Sequence, residues 1–278
     1  MKTFIVPHDF SPVADLALQH AVTTASTMEA KIYVLHVVPK QKDIAAAQKE
    51  LKKHLVKYEG NTEVEPYVRV GSIFEDIGEF AAEHHAELIF MGTHGTRGWQ
   101  HVTGSYALKV VTSSKVPFII VQKGELQPTG YDDIVVPLDL EKESKQKLTI
   151  VADLAMYFKS RVHVITTEET DEFLRHKTEA NIQFAQKFFS ERKIEITVKS
   201  VSSSGFDEEV VKHAIETKSD LIAIMNLHKN SLFGTLTSGH EPYIINNEAG
   251  ISTLIVNPMD SPYGTSVLFS YRFRNGFL

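Results

Sequence analysis

The 278-residue sequence contains no cysteine. Disulfides, thiolate metal sites and cysteine nucleophiles are therefore excluded, and the absence fits a cytoplasmic setting. Nor is there an excess of basic charge: 29 Lys and Arg against 35 Asp and Glu give a net charge of −6. That balance predicts no general affinity for nucleic acid or an anionic membrane surface. No run approaches the roughly eighteen apolar residues that cross a bilayer, and the apolar start "FIVP" is shorter than a secretion signal's core. Several motifs are missing too: GxxxxGK[ST], a GxGxxG opening the first helix, HExxH and G-x-S-x-G. Their absence argues against P-loop phosphate binding, Rossmann dinucleotide binding, a zincin-type metal centre and a hydrolase nucleophile elbow. Neither a HIGH-like nor an SGGxxS-like segment occurs, which disfavours nucleotidyl transfer and pyrophosphatase chemistry.

What the chain does have is internal repetition. "FIVPHDFS" (Phe4–Ser11) aligns with "IVVPLDLE" (Ile134–Glu141), each an apolar run with Pro fourth and Asp sixth. The same offset of 130 residues carries "KIYVLHVV" onto "RVHVITTE". With small loop-length drift, "GSIFEDI" follows onto "GFDEEVV", "AELIFM" onto "SDLIAIM" and "KVPFIIVQ" onto "GISTLIVN". Order is kept throughout, which chance similarity of generic strands does not produce.

Within each half, near-continuous Val/Ile/Leu runs alternate with helical segments. Strands covered on both faces have that composition. Ser11 followed by Pro12 suits an N-cap and first helical position. The alternation implies βαβ units and a parallel sheet. The expected fold class is α/β: two tandem, doubly wound, parallel five-stranded sheets. The expected domains are residues 1–124 and 131–258, joined through "QKGELQPTGYDD" (Gln122–Asp133), with a tail over 259–278. The tail alternates in "SVLFSYRFRNGFL" with period two, which suggests an extra edge strand.

Ligands of open parallel sheets sit beyond the carboxyl ends of strands, where the winding reverses. If the first and fourth strands are neighbours, Asp9 faces the glycine-rich segment "MGTHGTRGWQHVTGSYALKVV" (Met91–Val111). There Gly92 and Gly95 are followed, after eight residues, by Gly104-Ser105 at the start of a helix. Free N–H groups and the helix dipole attract anions there, and glycines let backbone approach phosphate oxygens. Ser105 adds a hydroxyl donor and Arg97 a fork suited to phosphate. Three or four charge-assisted hydrogen bonds of about 1.5–3 kcal/mol each, less the cost of association, are compatible with roughly micromolar binding. A flexible surface turn with a serine cap is the bland alternative.

"VPHDFS", "LHVV" and "MGTHG…GS" together resemble the universal stress protein family in its tandem two-domain form, over roughly Met1 to Pro258. The resemblance implies an adenine nucleotide alpha-hydrolase-like (Rossmann-like) fold and a regulatory protein that binds ATP or AMP, with or without Mg. It implies that Gly92, Gly95, Gly104 and Ser105, with His94 and Arg97 in the same loop, lie at phosphates and ribose. Asp9 would lie near ribose and adenine, Val37 at the adenine edge, and Pro7 and Met91 in the pocket wall. One departure is that the family's spacer has nine residues where this loop has eight. The likeness further implies an intramolecular pseudo-dimer in which Phe118–Val121 meets Thr253–Val256. A homodimer of two chains is compatible with it but not fixed by the sequence.

The second half departs further. Its loop keeps the nine-residue spacer from Lys229 to Gly239 but has Asn226 and Lys229 at the Gly92 and Gly95 positions, and His240 for Ser105. Asp139 survives, and His228 flanks the loop. The expectation is a degenerate site, empty or holding something else. Among the thirteen histidines, His8, His36 and His94 fall at strand ends and suit turns better than a metal site. Glu168-Glu169 and Asp207-Glu208-Glu209 are expected at helix starts, where negative charge is favoured anyway. No catalytic set emerges, so at most slow ATP hydrolysis is expected. The alternative function is an interaction scaffold that binds no nucleotide.

Overall fold

The computed structural model describes residues 1–58, 60, 62–92, 110–111, 114–140, 142–226 and 241–258. Strand β1 (Lys2–Pro7) leads into helix α1 (Pro12–Met28), followed by β2 (Ala30–Val38), α2 (Ile44–Leu55), β3 (Val64–Val70), α3 (Ile73–Glu83), β4 (Leu88–Gly92) and β5 (Phe118–Val121). The second half supplies β6 (Asp133–Pro137), α4 (Lys147–Phe158), β7 (Arg161–Thr167), α5 (Glu172–Ser190), β8 (Ile196–Val201), α6 (Phe206–Glu216), β9 (Leu221–Met225), α7 (Glu241–Ile245) and β10 (Ser252–Val256).

The strands form one ten-stranded sheet in the order β3-β2-β1-β4-β5-β10-β9-β6-β7-β8. Each half contributes five strands in the same doubly wound order, all parallel within the half. The two sets join through antiparallel pairing of β5 and β10, with Ile119 opposite Leu254. All four residues of β5 and all five of β10 are buried.

Side-chain alternation explains the two cores. Phe4, Val6, Phe90, Ile134, Val136 and Leu254 point to one face, beneath helices that include α1 and α4. Ile5, Ile89, Phe118, Val135, Ile222 and Ile255 point to the other, beneath α3, α6 and α7. Each core runs through both halves, so neither half buries its apolar surface alone.

Local signals behave as their chemistry requires. Ser11 Oγ accepts the Ala14 N–H at 3.3 Å as the N-cap of α1, with Pro12 at the first helical position. Asp207, Glu208 and Glu209 lie in the first turn of α6. Glu168 and Glu169 do not start a helix, because Asp171 takes the N-cap of α5 by accepting the Leu174 N–H at 2.9 Å.

The segment expected to be a plain connection is partly core. Tyr131 is fully buried, and its ring packs edge-on against Phe158. Gly130 has φ +90, and a Cβ there would lie 2.1 Å from the Phe158 ring, so the chain can pass only as glycine. The Tyr131 hydroxyl donates to Nδ1 of His20 on α1 (3.1 Å), whose Nε2–H faces the Gly124 carbonyl at 3.4 Å.

Burial drives the His20 pKa down to about 4. The folded chain therefore holds this imidazole neutral where the unfolded chain, near 6.5, is already taking a proton. Stability from this group is full above about pH 6.5 and falls as pH drops toward 4, by about 3 kcal/mol at most. Urea unfolding is expected to show that loss between pH 6.5 and 4, with a shallower slope in His20→Leu; identical slopes would contradict it.

Candidate functional site

β1 lies between β2 and β4, so the winding reverses between β1 and β4. At that point Pro7 ends β1, Asp9 follows it, and Met91-Gly92 ends β4. Pro7 and Met91 are buried, while Asp9 and Val37 are half-buried. The structure thus brings Pro7, Asp9, Met91 and Gly92 to the carboxyl edge of adjacent strands, with Val37 near the end of the neighbouring β2. His94, Gly95, Arg97, Gly104 and Ser105 lie outside the described residues, as do His228, Lys229, Gly239, His240 and the tail expected to form an edge strand.

Asp9 is held on one side only. Its Oδ1 accepts the Ser11 N–H at 3.1 Å, whereas Oδ2 is buried with no partner among the described residues. A carboxylate oxygen in that state forgoes water without replacing it, which costs about 1–3 kcal/mol or more and marks a place for a donor. The turn that aims it is strained, because Phe10 adopts φ 62, unusual for a bulky residue. The Phe10 ring sits against His36 (4.8 Å between centroids) and His54 (5.7 Å). His36 is pinned in turn, with Nδ1 2.7 Å from the His8 carbonyl.

Beside this turn lies a group that sequence spacing did not reveal: His8, Asp15 and His54, with donor atoms within 4.8 Å of one another. Such donors suit a divalent metal in kind, but their hydrogen bonds point elsewhere. His8 Nδ1 accepts the Phe10 N–H at 3.1 Å, which leaves the ring proton on Nε2 and no lone pair there for a cation. Asp15 Oδ1 already takes Lys57 Nζ and His54 Nε2, each at 2.8 Å. Burial lowers the His8 pKa to about 4, so the ring is neutral. The cluster is a support for the β1–α1 turn.

Gly92 has a reason for being glycine that the sequence did not suggest. A Cβ there would stand 2.6 Å from the Val13 carbonyl oxygen, in the first turn of α1. In the described residues the close approach is to this protein's own backbone. In the second half the strand register sets Met225, not Asn226, at the Gly92 position, because Gly92 faces Val121 where Met225 faces Val256; Asn226 falls one residue later than the sequence alignment expected. Asn226 is completely buried, its Nδ2 donates to Asn257 Oδ1 at 2.6 Å, and its main-chain N–H bonds the Val256 carbonyl.

The second half has a cavity of about 250 Å³ at its own switch point between β6 and β9. Pro137, Asp139 and Thr167, which the repeat sets opposite Pro7, Asp9 and Val37, line it, as do Ile224 and Met225, which the strand register sets opposite Met91 and Gly92. So does Lys147, fully buried on α4 where the repeat places Ala17 on α1. In the sequence Lys147 looks like one more lysine in a polar run. Aligning the halves, which sets it on the apolar face of its helix, was the signal that could have found it.

Residues 1–122 match the model of the Universal stress protein family. Over 44% of this chain, the sequence is 29% identical to Universal stress protein MJ0531 of Methanocaldococcus jannaschii, covering 82% of that protein. It is 25% identical to Universal stress protein G of Escherichia coli O157:H7, covering 99% of it. A universal stress protein structure from Archaeoglobus fulgidus superposes with a TM-score of 0.72 at 15% identity, spanning 93% of this chain and 97% of that one. The first half of the chain is a universal stress protein domain, and the likeness of fold extends over both halves.

The Gly92→Ala substitution is expected to destabilise the fold by about 1–3 kcal/mol through overpacking against Val13. Urea denaturation measures it; an unchanged midpoint would mean that the approach of β4 to α1 is not tight.

Proposed function

We propose that the first half binds an adenine nucleotide, ATP or AMP with or without Mg, between the ends of β1 and β4, and that the protein is a stress-response regulator whose occupancy follows the nucleotide pool. The observation that carries this reading is the buried Oδ2 of Asp9, without a partner among the described residues, at the topological switch point. Membership of the first half in the universal stress protein family supports it, as does the pattern of Gly92, Gly95, Gly104 and Ser105. In this reading Asp9 accepts hydroxyl or amino hydrogens of the nucleoside, Pro7, Val37 and Met91 flank the base, and the loop with His94 and Arg97 meets the phosphates. The second half, with Met225 and Lys229 for the glycines and His240 for the serine, is no nucleotide site and acts as an intramolecular partner in a cytoplasmic pseudo-dimer. Turnover is slow or absent in this reading, since the sequence shows no spaced set of general base and metal-binding carboxylates.

Calorimetric titration with ATP, ADP and AMP tests this. Saturable binding near the micromolar range is expected. Asp9→Ala should weaken it about 10–100-fold through loss of one charge-assisted hydrogen bond, and Gly104→Val should abolish it. No binding to the wild-type protein by any of the three nucleotides would overturn the proposal in favour of an interaction scaffold, to which the eight-residue spacer also points.

A further inference from the structure

We propose that the cavity of the second half is a carbonyl-binding site, in which the Lys147 amine captures a small apolar aldehyde or ketone as a reversible imine. The walls decide the class of ligand. Pro137, Phe206, Ile224 and Ile244 make them apolar, and Asp139 and Asp207 line the same space with Lys147. Met225, which lines the cavity, stands where the first half has Gly92, so a side chain fills the place of the glycine. The cavity volume of about 250 Å³ leaves room for a small apolar molecule beside Lys147.

Lys147 supplies the chemistry. It is 2% exposed, and Nζ donates to Ser144 Oγ at 3.0 Å. An ammonium buried among apolar side chains at a position that the repeat fills with alanine is costly to keep charged. Burial accordingly brings its pKa down to about 8, with the Asp139 charge opposing. A desolvated lysine beside apolar walls is the state in which an amine attacks carbonyl carbon. In the step, the nitrogen lone pair forms the C–N bond as the carbonyl π bond opens onto oxygen, and one amine proton passes from nitrogen to that oxygen to give the carbinolamine. The second amine proton then goes to the hydroxyl, the C–O bond breaks, and water leaves as C=N forms. Asp139, whose charge acts on Lys147, relays each proton from nitrogen to oxygen. Hydrolysis reverses every bond change, so neither oxidant nor reductant takes part.

Reductive trapping tests the proposal on the full chain. The protein is incubated at pH 7.5 with butanal and sodium cyanoborohydride, and alkylation at each lysine is followed by peptide mass spectrometry. At that pH a lysine of ordinary pKa has far less free amine than Lys147, so Lys147 is expected to be labelled about tenfold or more faster than exposed lysines. The labelling should saturate with butanal. Ile244→Trp, which fills the cavity, should slow labelling of Lys147 alone and leave the exposed lysines unchanged. Labelling of Lys147 no faster than that of exposed lysines, or equal labelling in Ile244→Trp, would overturn the proposal.

Discussion

The architecture depends on the antiparallel pairing of β5 with β10. A five-stranded parallel sheet that ended at either strand would expose a row of unpaired N–H and C=O groups on an apolar edge. Here each edge satisfies the other, and the two cores become continuous through the junction. Amide side chains just beyond the strand ends tighten the join. Gln122, after β5, donates to the Ile245 carbonyl at the end of α7, while Asn257, after β10, donates to the Val111 and Ser114 carbonyls. Each half thus caps chain leaving the other half's helical region, and Asn257 also receives Asn226. The join therefore reaches the strand end that opens the second loop.

On this shared frame the halves have diverged at a few positions that decide their chemistry. Gly92 lets β4 press against the first turn of α1, whereas the matching Met225 lines a cavity and Asn226, just past β9, is spent on the join. Ala17 leaves α1 apolar, whereas Lys147 lines that cavity. Asp9 keeps a buried oxygen without a partner among the described residues, while Asp139 lines the cavity too. Each difference is one side chain, yet together they turn a duplicated fold into two unlike sites.

Most of the fold was legible in the sequence because strands buried on both faces have little compositional freedom. The Val/Ile runs, the Ser11-Pro12 cap and the 130-residue offset all follow from that. The pairing of β5 with β10 was legible only through family likeness, since nothing in "FIIV" names its partner. The site was legible in part. Asp9 and Gly92 stood out by type and spacing, but the reason for Gly92 lay in a contact with Val13 that no local pattern encodes. Tyr131 and Lys147 were hidden for one shared reason: each sits in a polar stretch, and its burial is decided by distant segments. The supporting cluster of His8, Asp15 and His54 spans 46 positions and forms only when α1 and α2 fold onto the same side of β1.

In the proposed reading one fused body carries a single nucleotide site. Native mass spectrometry of the purified chain in a saturating, near-physiological mixture of ATP and AMP counts the sites. One adenine nucleotide per chain is the expected result. Two per chain would show the second half to be an intact nucleotide site, and none would remove the site proposed beside Asp9.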